Sequence, residues 1–124
     1  MRLLLDTHAY VWWRMDPGRL NRSALEAIET EEDVAVSAVS GLEIAVKQTL
    51  GKLVGEARLL DDPSDHDLEP LPITWAHTRE VRRLPPLHRD PFDRLLVAQA
   101  RLERRTLVTD DVHVRAYDVA TMPA

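Results

Sequence analysis

Five acidic residues stand where separate stretches of chain change character. Asp6 closes the apolar run Leu3-Leu4-Leu5, and Asp110-Asp111 follow Leu107-Val108-Thr109. Asp93 comes just after Asp90-Pro91, and Glu43 sits inside a largely apolar stretch with Val39, Leu42, Ile44, Ala45 and Val46. Carboxylate oxygens are the natural donors for Mg²⁺ or Mn²⁺, hard ions held by a few carboxylates plus a substrate phosphate. Gathered without matching bases, carboxylates repel one another, and some must take up protons unless a cation binds. Such an ion orients a water, lowers its pKa and neutralises charge on a phosphodiester; two ions roughly 3.5–4 Å apart clamp both attacking and leaving oxygens. The chemistry these residues suggest is metal-assisted hydrolysis by water, with no side-chain nucleophile.

Each acid also has a purely structural reading. Asp6 suits the N-cap of a helix starting at Thr7. Asp90 caps a helix whose first residue is Pro91, and Asp93 favours the dipole of its first turn. Asp110 and Asp111 fit a turn after a strand, and Glu43 fits an exposed helix position. Its apolar neighbours count against exposure, because a carboxylate near a core is costly unless paired or ligating. Competing chemistries lack their signatures. The chain has no cysteine, no nucleotide-binding glycine loop and no G-x-S-x-G elbow. Its five histidines (His8, His66, His77, His88 and His113) form no H-x-x-x-H pair for zinc. His8 and His88 fall nearest the acids, where a contact with a phosphodiester substrate or a plain surface role would suit them.

The elements that must position these acids are short. Residues 3–5 read as a buried strand, followed by a helix over 7–15 and a turn at Asp16-Pro17-Gly18. Asn21 or Ser23 caps a helix with Leu20, Ala24, Ala27 and Ile28 on one face. Residues 34–36 form a second strand, and a third helix runs from Ser40 to Leu50 with Gly51 as its stop. Residues 55–67 read as a short helix and a loop, and 68–73 as an edge strand because of Pro70 and Pro72. Helices follow over 74–84, ended by Pro85-Pro86, and from Pro91 to about 105. Residues 107–109 and 119–122 supply the last strands. Short apolar strands alternating with helices predict one α/β domain spanning 1–124, a three-layer α/β/α sandwich around a mostly parallel sheet. In such sheets ligands bind beyond the carboxyl ends of the strands, where Asp6 and Asp110-Asp111 lie.

The chain has 124 residues and a net charge of −5, which argues against a broad basic surface for nucleic acid. The charge is uneven. Residues 1–70 hold 7 Lys/Arg against 14 Asp/Glu, and residues 71–124 hold 9 Arg against 7 acids. That leaves room for a local arginine face, or for a merely solvated helix surface. No apolar run is long enough for a membrane span, and Asp6 and His8 interrupt the only stretch resembling a signal peptide. A cytoplasmic location is the simplest expectation.

The stretches LLLDTHAYVWW (3–13), VSAVSGLEIAVKQTLGKL (36–53), LPPLHRDPFDRLLVAQA (84–100) and LVTDD (107–111) resemble the PIN domain, particularly the VapC-type toxins. The resemblance covers almost the whole chain. It implies the same sandwich fold, Mg²⁺ or Mn²⁺ dependence and endonucleolytic cleavage of RNA. It assigns the family's acids to Asp6, Glu43, Asp93 and, through the LVT-x-D pattern, Asp111, with Asp110 at the variable position. Within that assignment Asp6 and Asp93 are direct ligands, and Glu43 and Asp111 complete the site. Asp90 is chiefly a cap, and Thr7 and Thr109 orient acids through their hydroxyls. The resemblance also implies a small antitoxin partner and a homodimer. Tyr10, Val11, Trp12 and Trp13 exceed what one helix face buries, so they read either as core or as part of an interface. A phosphoacceptor signalling domain would need an acid pair after the first strand and a late lysine, yet no Lys follows Lys52. A PIN fold that binds without cutting, or a DNA nuclease with the same acids, would also fit these residues.

Overall fold

The computed structural model describes residues 1–52 and 56–124. Strands β1 (Arg2–Leu5), β2 (Asp33–Ser37), β3 (Glu69–Leu71), β4 (Thr106–Val108) and β5 (Thr121–Met122) form one sheet in the order β3-β2-β1-β4-β5. Every pairing is parallel, with Leu4 of β1 flanked by Ala35 and Leu107. The continuous leucine run of β1 follows from its central place, since both faces are covered. Leu3 and Leu5 pack on one side with Ala9 and Tyr10 of α1 (Thr7–Met15), Ala24 and Ile28 of α2 (Arg22–Thr30) and Ile44 of α3 (Ala38–Thr49). Leu4 packs on the other with Leu96, Val97 and Ala100 of α5 (Pro91–Leu102) and Val114 of α6 (Val112–Arg115). The remaining helix, α4 (Trp75–Val81), lies against α5. This is the expected three-layer α/β/α sandwich.

The chain builds the sheet outward from β1 to β2 and β3, then returns to add β4 and β5 on the opposite side. The carboxyl ends of β1 and β4 therefore flank the switch point, where crossovers diverge and leave a crevice. Asp6 follows one of these strands and Asp110-Asp111 the other; the Asp6 amide donates to Val108 O at 3.1 Å.

Several boundaries differ from those expected. Helix α3 starts before Ser40 because Ser37 supplies the cap, its hydroxyl accepting from the Val39 amide. Asn21, not Ser23, caps α2. Helix α4 stops at Val81 and α5 at Leu102, beyond which Arg104 takes a left-handed backbone (φ 53°). The segment expected as a helix and loop forms two 3₁₀ turns, Ala57–Leu60 and Pro63–His66; residue 55, its first, lies outside the described residues. Strand β3 is indeed an edge strand, paired only with β2, and β5 is shorter than expected. Helix α6 adds to the expected elements, since four residues hold no readable period. Trp12 and Trp13 are half-buried against the α1–α2 side of the core, and the Arg19 guanidinium lies over the Trp12 ring. Among the described residues no helix is long and apolar enough to cross a membrane.

Candidate active site

Asp6 is buried and uses Oδ1 to accept from the Ala9 amide at 2.8 Å, so it does cap α1. Its position also places it in the crevice, beside His8, Trp12, Asp110 and Asp111 in a cavity of about 260 Å³. Burial raises the Asp6 carboxyl above its usual range, against the lowering effect of hydrogen bonds from Thr109 and Ala9 and of His8; the nearby Glu43 raises it further.

Glu43 is 4% exposed, which removes the surface reading of this residue. The turn spacing of α3 aims it inward, where the Thr7 hydroxyl donates to Oε1 at 2.6 Å. Thr7 in turn lies 3.0 Å from Ser40 Oγ. One turn further along α3, Lys47 Nζ meets Oε2 at 2.6 Å. Sequence reasoning missed Lys47, although its i,i+4 spacing from Glu43 is a signal that points to it.

Asp93 lies in the first turn of α5, and its Oδ2 accepts from His88 Nε2 at 2.8 Å. Its carboxyl is pushed up to about 6, chiefly by burial, with the charges of Asp90, Glu43 and Asp111 adding to the rise and the His88 hydrogen bond opposing it. Asp111 caps α6 through Oδ1, which accepts from the His113 and Val114 amides at 2.8 and 3.2 Å. Its Oδ2 lies 3.8 Å from His88 Nε2, and its own amide donates to Thr109 Oγ1. Asp6, Glu43, Asp93 and Asp111 thus share one electrostatic neighbourhood, linked through Glu43 and Asp93.

The two supporting acids are engaged elsewhere. Asp90 Oδ1 accepts from the Phe92 and Asp93 amides, the capping role expected of it. Asp110 is exposed, and its Oδ1 accepts from the Ala124 amide at 3.0 Å.

His88 is the residue whose part in the site the sequence did not resolve. Its Nδ1 accepts from the Arg89 amide at 3.1 Å, which fixes the proton on Nε2 and makes that atom a donor to Asp93. Ligand atoms of His88, Asp90 and Asp93 lie within 4.8 Å of one another. A protonated Nε2 and an Asp90 oxygen committed to two amides make this trio a poor cation cage of its own. The His88 ring stacks on His113 with centroids 5.1 Å apart, and its amide donates to Tyr117 Oη at 3.0 Å. The loop that carries it wraps the Arg94 guanidinium, which donates to the carbonyls of Val81, Leu84, Pro85 and His88 and to Tyr117 Oη. No periodic pattern announces such a clamp.

The donor set suits a hard cation. The four carboxylates are neighbours, Asp6 and Asp93 are raised first by burial and then by nearby acids, and Lys47 is the one lysine or arginine ion-paired to the four among the described residues. Oxygen donors in this number match Mg²⁺ or Mn²⁺ better than softer ions.

The molecule is thus a parallel α/β/α sandwich with acidic side chains gathered at its switch point. The PIN-domain profile matches residues 3–120. Over 119 residues the chain is 31% identical to ribonuclease VapC22 of Mycobacterium tuberculosis, covering 93% of this chain and 91% of that protein. The chain belongs to the PIN-domain family, in its VapC branch. Its fold superimposes on the crystal structure of VapBC2 from Rickettsia felis bound to a promoter DNA fragment, with a TM-score of 0.74, 16% identity and coverage of 100% and 99% of the two chains. A toxin–antitoxin complex from Klebsiella pneumoniae gives a TM-score of 0.67 at 19% identity, covering 97% and 95%.

Proposed function

We propose that this chain is a divalent-metal-dependent endoribonuclease acting as the toxin of a toxin–antitoxin pair. The observation that carries the reading is the gathering of the buried Asp6 and Glu43 with the half-buried Asp93 and Asp111 at the sheet's switch point, with a single paired lysine among the described residues. The relative named a ribonuclease supplies the reaction class. Asp6 and Asp93 would hold Mg²⁺, or Mn²⁺ in its place, with Glu43 and Asp111 completing the set. Bound there, the cation supplies Lewis acidity that activates water and offsets phosphodiester charge. Asp111 rather than Asp110 is the fourth acid, because its Oδ2 faces His88 while Asp110 is tied to Ala124.

The chain's own residues prepare this site. Lys47 and Thr7 hold the two oxygens of Glu43, so it keeps one orientation although buried. His88 is a positioning residue that holds Asp93 Oδ2 and leaves the other oxygen free. The Thr7 hydroxyl is committed to Glu43 and carboxylates are poor nucleophiles toward a phosphodiester, so in this reading water is the attacking group. The partners in this reading are an RNA substrate, a small antitoxin protein and a second copy of the chain, in the cytoplasm. The partly exposed Trp12, beside the cavity that contains Asp6 and Asp111, fits an antitoxin contact at the site's edge.

The test is cleavage of end-labelled structured RNAs, including tRNA and ribosomal RNA, by partner-free protein with Mg²⁺, with Mn²⁺ and with EDTA. Cutting is expected with metal, absent with EDTA, and reduced by at least about a hundredfold in Asp93→Asn. Unchanged cutting by that variant overturns the site assignment. Failure to cut all these RNAs by folded, metal-loaded protein favours a PIN fold that binds without cleaving.

A further inference from the structure

Helix α4 presents a face that its packing does not require. It buries His77 and Glu80 and turns Trp75, Arg79 and, just past its end, Arg82 and Arg83 to solvent. Spacings of four, seven and eight residues put these on one stripe. Trp75 is 80% exposed, more than any other large hydrophobic side chain among the described residues. The stripe is only partly neutralised. Glu80 is buried and shared between Arg83 at 3.9 Å and Arg101 at 3.6 Å, and Glu103 lies against His77. Arg79 and Arg82 have no ion pair among the described residues. On a chain of net charge −5 this stripe is locally positive, and it continues through Arg101 onto α5.

Its placement joins it to the site. The carbonyls of Val81 and Leu84, at the end of α4, are held by Arg94, the residue after Asp93. The acid cluster itself repels a polyanion, so affinity for one must come from surfaces beside it. From Trp75 to Arg83 the stripe spans about 12 Å at 1.5 Å per residue, the length of about three phosphates of one strand. Guanidinium groups for phosphates beside an exposed aromatic ring for a base are the combination used to bind single-stranded nucleic acid. A carboxylate-rich protein segment would use the arginines but has no need of the ring.

We propose that Trp75, Arg79, Arg82 and Arg83 form the docking surface for a single-stranded flank of the RNA whose cleavage is assigned to the acid cluster. The inference rests on the ribonuclease reading and adds where that substrate is gripped. The test is fluorescence anisotropy with a labelled single-stranded RNA and the full chain in EDTA, over a range of salt concentrations. The variant R79S/R82S/R83S is expected to bind more weakly, with the slope of log K against log salt reduced by about 2, since each phosphate contact on a single strand contributes roughly 0.7. Trp75→Ala is expected to lose roughly tenfold in affinity with its slope unchanged, and Trp75→Phe to recover most of that loss. Mn²⁺ affinity should be unaltered in all of them, because these side chains lie outside the acid cluster. Should the triple variant lose its circular dichroism signal, Arg82→Glu alone is expected to reduce both affinity and slope. Wild-type affinity and slope in a folded arginine variant overturn the proposal, as does a variant that loses binding to polyglutamate while keeping its hold on RNA. Wild-type protein that binds no RNA overturns this surface, while its cleavage of RNA with Mg²⁺ decides the ribonuclease reading separately; wild-type protein that cleaves while the variants bind normally overturns the surface alone.

Discussion

At the scale of single residues, the site is built from carboxylates kept in an environment that disfavours their charge. Asp93 is raised from an ordinary value of 3.8 to about 6, and Asp6 is raised as well, in both cases mainly by burial. A carboxyl raised on folding favours its protonated form in the folded state. Its contribution to stability is therefore complete below the unfolded-state value and is lost as pH rises from about 4 through about 6. The metal-free protein is expected to melt at progressively lower temperature across this window, measured by thermal denaturation in EDTA. A saturating divalent cation should reverse the loss above pH 6, since ligand at a hundred times its Kd stabilises by about 2.7 kcal/mol. Asp93→Asn should flatten the metal-free pH profile and shrink the metal-induced rise. A metal-free melting temperature that climbs between pH 4 and pH 6 would contradict this account. Much of this scale was legible in the sequence, because acids after apolar runs stand out by type. The His88–Asp93 contact was not, since it depends on how a loop folds back and not on spacing.

At the scale of elements, caps and one clamp do the positioning. Asp6, Asp90 and Asp111 each begin a helix, which is why a capping reading and a site reading of the same acids were both reasonable from sequence. Strand positions and helix order followed from the apolar pattern and from Pro and Gly punctuation. Helix ends were less legible: Arg104 takes the left-handed position of a local C-cap, with Arg105 N–H donating to Ala100 O, where glycine is the usual signal, and Ser37 starts α3 from within a strand-like segment. The 82–90 loop shows the limit most clearly, because its order comes from Arg94 on the following helix. Arg94→Met is expected to cost about 2 kcal/mol of stability, the scale of lost charge-assisted hydrogen bonds. It should also weaken Mn²⁺ binding about tenfold by releasing His88, as read by electron paramagnetic resonance titration. His88→Ala should weaken Mn²⁺ to a similar degree with little loss of stability. Full Mn²⁺ affinity in both variants would show that the loop does not orient Asp93.

At the scale of the whole molecule, the two halves of the core meet across a single sheet. Leu3 and Leu5 serve one side and Leu4 the other, all fully buried, so neither layer has a sheet of its own. The chain read as one domain should melt in a single cooperative transition. Leu4→Ala is expected to lower its stability by about 2–5 kcal/mol, with circular dichroism and tryptophan fluorescence shifting together; separate transitions would overturn the single-domain reading. The switch point depends on β1 lying between β2 and β4, an order that follows from long-range pairing and that no local pattern encodes.

The double employment of Asp6 and Asp111 has a practical consequence. In each, one oxygen secures a helix start while the residue also lines the cavity at the switch point. For the proposed nuclease, an inert form that traps an uncut substrate is best made with asparagine, which removes the charge but keeps the oxygen that accepts the cap. Alanine at either place would loosen the architecture along with the chemistry, and a silent alanine variant would not tell the two losses apart.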